Sequence, residues 1–477
     1  MTAPLPIRSL CRQAMGIAAF WCFGAAPGVS AAFDAKRHLF LDPAILATTE
    51  GAVLKANPAQ RRETVISPDR PWERHMISFF LTVRDEGGKL RMWYVCRDDW
   101  GAGGQANLAY AESTDGITWS KPDLGVYEYK GSRANNLVGV HSLEGVVFRD
   151  PNMPPEQRYI YVSTGKAKTA DKAVPVPTSI FRHHSPDGLH WQRDPQPLIE
   201  AGSDTQNVVW WDELRKEYVV IVRGWTTDGY RKVNRLALPS LTVPTSVRPD
   251  RSNRRQYFNQ EIPTILICDG EDPVRTDIYN LSAQPYVLDP HWYVAFPTFL
   301  RRWAANDERR QPGMKSSVGP TEVQFAGSRD SLKWHRYDRP AYAPPGIAAP
   351  EKKNMVFMGT GLVVRRDEIW QYGTEFESAH GDIEARKRKT DGFIVRWVQR
   401  VDGFVSLDTG TTAGSARTVP VKVAGRQLLL NLDTGALGEL RVGLVGADGR
   451  PVPGFAVEDC APIEYTNRTK LYSFRFE

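Results

Sequence analysis

Four carboxylates and one amide recur along this chain at a nearly constant distance: Glu73, Glu144, Asp204, Asp277 and Asn354, separated by 71, 60, 73 and 77 residues. Each stands at or just before an apolar segment that reads as a β-strand. A single acid before a strand is ordinary turn chemistry. Four in phase imply a repeated unit that aims one acid per repeat at a common point. Carboxylates gathered in this way push their pKa values apart, so that one stays protonated while another is ionised. General acid and base chemistry needs that division of roles.

The repeated unit is visible in a second pattern. Ser113-Thr114-Asp115-Gly116-Ile117-Thr118-Trp119 recurs as Ser185-Pro186-Asp187-Gly188-Leu189-His190-Trp191 and, with Ser in the glycine position, as Ser328-Arg329-Asp330-Ser331-Leu332-Lys333-Trp334. The tryptophans lie 72 and then 143 residues apart, so one copy has decayed between the second and third. In each unit the Asp-Gly pair marks a tight hairpin, and the Trp opens the returning strand with its ring over the neighbouring unit. Strands grouped in fours with this period describe the blades of a β-propeller, and five blades fill the chain to about residue 401. His38 to Leu46 is apolar enough to supply the strand that closes the ring and removes its open edges. From Asp402 the pattern changes to short strands between turns, which reads as a small C-terminal β-sandwich over 402–477. About 75 residues bury little surface alone. Phe404, Leu428, Leu430 and Phe455 are therefore expected to pack into a core shared with the propeller.

Composition removes several classes of function. The net charge of +6 is spread along 477 residues rather than gathered in a block, which argues against a nucleic-acid partner. Arg8 and Arg12 precede the apolar run Met15 to Ala26, with small residues at Ser30 to Ala32, so residues 1–32 read as a signal peptide and the mature protein as exported to the periplasm or beyond. No other stretch is long and apolar enough to insert into a membrane. Cys96, Cys268 and Cys460 are far apart and form neither a metal motif nor a disulfide framework, and no cofactor is expected.

The long polar connections between second and third strands of each unit share a face with the starts of the inner strands, which is where a site is expected. Arg97, Asp98, Trp100, Arg223, Trp225, Trp303, Glu375 and His380 lie on or beside them. Arg and Trp there can hydrogen-bond hydroxyls and stack on a sugar face.

Six segments carry a resemblance: Leu39-Phe40-Leu41-Asp42, Pro71-Trp72-Glu73, Tyr110-Ala111-Glu112-Ser113, Gly202 to Asn207, Asp277-Ile278-Tyr279-Asn280 and Asp402 to Asp408. The whole mature chain resembles the five-bladed propeller enzymes of glycoside hydrolase families 32 and 43. The added C-terminal sandwich is similar to family 32 in particular, and above all to a group of bacterial secreted family-32-like proteins. The resemblance implies three acids at the inner-strand starts of blades one to three, falling on Glu73, Glu144 and Asp204. Their order of types, Glu-Glu-Asp, reverses the family's Asp-Asp-Glu, and the family's Asn-Asp-Pro-Asn box is absent. Phe148-Arg149-Asp150-Pro151 spells the family's Arg-Asp-Pro motif, yet it sits at the end of its strand, where Asp-Pro makes a turn.

The resulting expectation is an exported glycosidase, exo-acting on a terminal sugar of an oligo- or polysaccharide held in an axial, carboxylate-lined pocket. Asp204 would protonate the leaving oxygen, Glu73 would act from the opposite face, and Glu144 and Asp277 would bind hydroxyls and set pKa values. Asn207, Tyr279, Arg223, Trp225, Glu375 and His380 would complete the substrate site. Two other readings stand beside it: a glycan-binding propeller without turnover, and a polysaccharide lyase whose arginines neutralise uronic acids.

Overall fold

The computed structural model describes residues 37–475 apart from 100–103, 142–143, 167–177, 246, 248–261, 313, 347–351, 389, 422–426 and 465–469. Residues 1–32, expected as a signal peptide, Trp100 and most of the blade II connection therefore lie outside the described residues. The chain is all-β, with Ile383–Arg388 the one α-helix among the described residues.

Five sheets form five blades. Blade I holds Met76–Glu86, Lys89–Arg97 and Ala106–Ser113. Blade II holds Val147–Arg149, Tyr159–Lys166, Thr178–Ser185 and Gln192–Arg193, and blade III Val208–Asp212, Glu217–Trp225, Arg231–Leu238 and Thr264–Leu266. Thr276–Pro285 and Tyr293–Arg301 begin blade IV, whose third position is split between Thr321–Val323 and Ala326–Ser328. Blade V has Met355–Met358 and Val363–Arg365 inside, then Glu368–Phe376, Phe393–Arg400 and Gln60–Ile66.

The inner strands are tied to one another by a polar bond at each blade boundary. The Val147 amide donates to Thr82 Oγ1 at 3.0 Å, Asn207 Nδ2 to the Glu144 carbonyl at 2.7 Å, and Thr205 Oγ1 to Asn280 Oδ1 at 3.2 Å. Ser282 Oγ donates to the Gly359 carbonyl at 2.7 Å, and the Thr360 and Thr82 hydroxyls meet at 2.8 Å to close the circle. These small polar groups are buried, and each finds a partner across the boundary, as burial demands.

The repeated Ser-x-Asp-Gly-x-x-Trp phrase proves to be a latch between blades. In the first copy Asp115 Oδ1 accepts the amides of Ile117 and Thr118 at 2.8 and 2.7 Å, Ser113 Oγ accepts Gly116 N at 2.8 Å, and Trp119 Nε1 donates to the Gly116 carbonyl. The second copy repeats every one of these bonds, and so does the third, with Ser331 held at φ +55° where Gly116 and Gly188 have +77°. The glycine carbonyl then takes a second donor from the preceding blade: Tyr372 OH to Gly116 at 2.8 Å and Trp93 Nε1 to Gly188 at 2.6 Å. A Cβ at Gly188 would lie 2.7 Å from the Trp93 ring, so both conformation and space require glycine there.

One expectation needs correction. The ring is closed by Gln60–Ile66, not by His38–Leu46. Arg61 pairs with Glu375 and Glu63 with Arg396 across that seam at 2.8 and 2.7 Å. Leu39 and Leu41 are instead buried against blade IV with Trp292 and Phe325. Beyond residue 401 no two-sheet sandwich is seen among the described residues. Val405–Thr409 pairs with Ala52–Ala56, Ser415–Thr418 with Leu46–Glu50, Gln427–Leu432 with Lys470–Arg475, and Glu439–Leu440 with Ile463–Glu464, each as a separate two-stranded ladder. Phe404 is fully buried and stacks on Phe325 at 5.0 Å, whereas Leu428, Leu430 and Phe455 are only half-buried.

Candidate active site

The axis is closed at the inner-strand starts by aromatic rings. Phe79 stacks on Phe357 at 4.1 Å, and Tyr279 meets Phe79 and Phe357 edge-on at 6.1 and 5.8 Å. Phe79 and Tyr279 both sit at irregularities in the inner-strand pairing, between Ile77 and Leu81 and between Ile278 and Asn280. Extra residues of this kind, two around Phe79 and one at Tyr279, re-aim side chains. Tyr279 and Phe79 are half-buried, so the rings form a floor with a partly open upper surface.

Glu144 and Asp204 stand together beside this floor. Glu144 is held at φ +73°, a left-handed conformation that is costly for a residue with a Cβ and that such residues adopt mainly where function or packing fixes them. The Asn207 amide N–H and side chain both clamp the Glu144 carbonyl, at 2.8 and 2.7 Å. Burial pushes the Glu144 carboxyl up to about 7, opposed by a hydrogen bond from Thr164 and by Arg223, and reinforced by the charge of Asp204, to which it is hydrogen-bonded. Asp204 is the open member of the pair, its side chain 73 % exposed, with Arg223 Nη1 3.3 Å from its Oδ2.

A layer of cations and rings continues from Arg223. Its guanidinium lies 4.8 Å from the Tyr279 ring centre and donates to the Tyr279 carbonyl at 2.5 Å. Arg231 lies 4.9 Å from the same ring and 5.0 Å from that of Trp225, its partner across the blade III hairpin. The T-shaped contact of His380 at 4.7 Å covers another edge of Tyr279, and His380 Nδ1 is 2.8 Å from the Ser317 carbonyl. Because that oxygen can only accept, Nδ1 carries the hydrogen.

Of the five in-phase residues, the structure brings Glu144 and Asp204 into contact and commits the others elsewhere. Glu73 has no exposed surface. Its Oε1 accepts from Tyr94 OH at 2.6 Å, and its Oε2 from Lys121 Nζ at 2.7 Å and from the amides of Asp69 and Arg70 at 3.0 and 3.2 Å. The Glu73 carboxylate, expected as nucleophile or base, is thus enclosed by these partners and paired with Lys121. Asp277 is likewise fully buried, between the guanidiniums of Arg231 and Arg302, and so orients arginines rather than binding hydroxyls. Asn354 Nδ2 donates to the Glu377 carbonyl at 2.6 Å. Glu375 is taken by Arg61 in the closing seam, and the buried Asn207 joins blades II and III. Both side chains are buried in this structure. Asp150 lies at the other end of the blades, where Tyr218 OH donates to it at 3.1 Å.

Sequence reasoning passed over Arg231, Arg302, Thr164 and the two phenylalanines of the floor. Arg231 was within reach, because the hairpin after Trp225 places it opposite that ring. Phe79 carries no such signal, since an apolar residue at a bulge looks like any other in its strand.

The sequence matches no protein-family model and no curated protein. In overall shape the chain is similar to several solved structures. An N-acetylgalactosamine deacetylase from F. plautii, in complex with blood group B trisaccharide, is 11 % identical with a TM-score of 0.46, over 73 % of this chain and 96 % of that one. A thermostable family-43 glycoside hydrolase is 10 % identical with a TM-score of 0.43, over 71 % and 95 %. A glycosyl hydrolase from Bacteroides ovatus is 12 % identical with a TM-score of 0.42, over 72 % and 94 %. Chemistry has to be argued from this chain's own side chains.

Proposed function

We propose that the protein is an exported glycan-active hydrolase whose Glu144–Asp204 pair delivers a proton to the leaving oxygen of a glycosidic bond. The observation that carries this reading is the contact between a buried carboxyl raised to about 7 and an exposed one beside it. Burial favours the uncharged form of Glu144, so the pair retains one proton near neutrality. Asp204, the exposed member, is placed to pass that proton outward, and Arg223 would stabilise the carboxylate left behind.

The two acids do not flank a sugar. Glu144 and Asp204 interact directly, whereas two acids that flank a scissile bond stand roughly 5 Å apart in a retaining pair and roughly 6.5 to 9.5 Å apart in an inverting one. They act together on one side of the scissile bond, and the attacking water is activated by a group outside the pair. The aromatic floor, with Tyr279 and Phe79 half-open, supplies apolar surface for one face of a terminal ring. An exo mode fits an axis closed below the site.

One observation favours a second reading, a glycan-binding propeller without turnover: the carboxylate expected to act opposite Asp204 is locked against Lys121. Incubating the protein with furanosides, pyranosides and uronans separates the readings. New reducing ends support hydrolysis, an unsaturated ultraviolet-absorbing product indicates a lyase, and saturable binding without product indicates the binding module.

A further inference from the structure

We infer that the site takes a sugar bearing a carboxylate, held by Arg223 and Arg231 around the Tyr279 ring with Arg302 beside them. This rests on the glycan-active reading and names its substrate class.

Buried guanidinium donors without partners carry the inference, and the charge count agrees with them. Three guanidiniums meet around Tyr279 and Tyr230, with Arg302 lying 4.4 Å from the latter ring. Two carboxylates face them: Asp277, shared by Arg231 and Arg302, and Asp204, beside Arg223. Glu144 adds no full charge while it holds the proton of the pair. One positive charge is therefore left uncompensated in a largely buried place. Like charges so close are costly in a low-dielectric setting unless an anion joins them.

Individual atoms point the same way. Arg223, with its side chain 2 % exposed, has a buried Nη1 that faces Asp204 without forming a hydrogen bond, and Arg231 has a buried Nε without a hydrogen-bond partner. Buried guanidinium donors are normally satisfied. The side chains of Arg231 and Arg302 are 10 % and 19 % exposed, so the cationic surface opens toward solvent on their side. Planar guanidiniums match the two oxygens of a carboxylate. A substrate carboxylate reaching Arg223 would take over from Asp204, whose carboxylate, freed of that cation, can take the proton from Glu144 and carry it toward the leaving oxygen. Binding of the acidic group and readiness of the acid are thereby linked.

The test uses the full-length protein, calorimetry, and oligogalacturonides and glucuronides measured beside their methyl esters, which differ only in charge. Glycans sulfated on a neutral sugar and the unmodified neutral glycans form two further arms. The free acids are expected to bind about tenfold or more tightly than their esters, the gain of a charge-assisted bond. That preference should shrink with added salt. It should also fall in Arg231→Gln, with Arg231→Lys restoring part of it. Equal binding of acids and esters, or tighter binding of neutral glycans, would overturn the acidic-sugar inference while leaving the glycan reading intact. Preference for the sulfated arm would replace the carboxylate. Binding of no saccharide in any arm would sink the glycan reading itself.

Discussion

Asp204 Oδ2 lies 3.3 Å from Arg223 Nη1 while the same side chain interacts with Glu144, so one exposed carboxylate joins a half-buried acid to a buried cation. The two neighbours act in opposite senses. Arg223 favours the ionised pair, and the burial of Glu144 favours a retained proton. The outcome is a proton held near neutrality at the edge of the aromatic floor.

The pH dependence follows from the sign of that shift. The folded carboxyl of Glu144 is raised from 4.5 to about 7, so its contribution to stability is fully present below about pH 4.5 and is lost as pH rises through about 7. Turnover that depends on the proton should decline over the same upper limb. Melting temperatures measured across this range should show a slope that Glu144→Gln flattens. An unchanged slope in the variant would remove Glu144 as its source.

Glu73 should matter to folding and not to chemistry. Replacing it with Gln weakens the partner of the buried Lys121 ammonium, which keeps only Asp69 as a counter-charge. Breaking a buried pair in this way should cost about 3 kcal/mol in denaturant unfolding. Turnover per folded molecule should change little. A variant of full stability and no activity would return Glu73 to the mechanism.

The latch makes a prediction about two glycines of similar backbone. A Cβ added at Gly87, where φ is +71°, would have nothing within 4 Å, whereas at Gly116, with φ +77°, that atom would lie 2.8 Å from the Tyr372 hydroxyl and 2.9 Å from Leu90 and Trp370. Gly87→Ala should cost roughly 1 to 2 kcal/mol, the strain of the left-handed conformation alone. Gly116→Ala should cost about 1 to 3 kcal/mol more, from the clash with the neighbouring blade. Equal losses in urea unfolding would contradict the inter-blade role.

The blades were legible because strand alternation and the Ser-x-Asp-Gly-x-x-Trp turn are local, and the turn survives even where Ser331 replaces glycine. Strand phase also located the starts of the inner strands at one end. It could not give side-chain direction. Glu73 ends a Pro71–Glu73 turn that carries it toward Lys121, 48 residues away, and Asp277 is captured by Arg231 at the start of a blade III strand and by Arg302 just after a blade IV strand. The closing strand was misread for a related reason. Gln60–Ile66 is an outer strand with mostly exposed or half-exposed side chains, so it needs charge complementarity to Glu375 and Arg396, not apolarity. The apolar residues of His38–Leu46 serve a different core.

The segment 402–477 should not fold alone. Two of its ladders borrow their second strand from Leu46–Glu50 and Ala52–Ala56, and Phe404 is buried among Phe296, Phe325 and Tyr342 of blade IV. Isolated two-stranded ladders are marginal in water. Thermal scans of the fragment should show no cooperative transition. A sharp one would make it an independent module.

The measurement that bears most directly on the central claim is the leaving-group dependence of Asp204→Asn. On a glycan with a sugar leaving group the variant should lose about 100-fold to 10,000-fold in turnover, the usual share of a general acid. On an aryl glycoside whose leaving group needs no proton, most of the activity should survive. Full activity on the unactivated glycan, or an equal loss on both substrates, would contradict Asp204 as the outlet of a proton held by the pair.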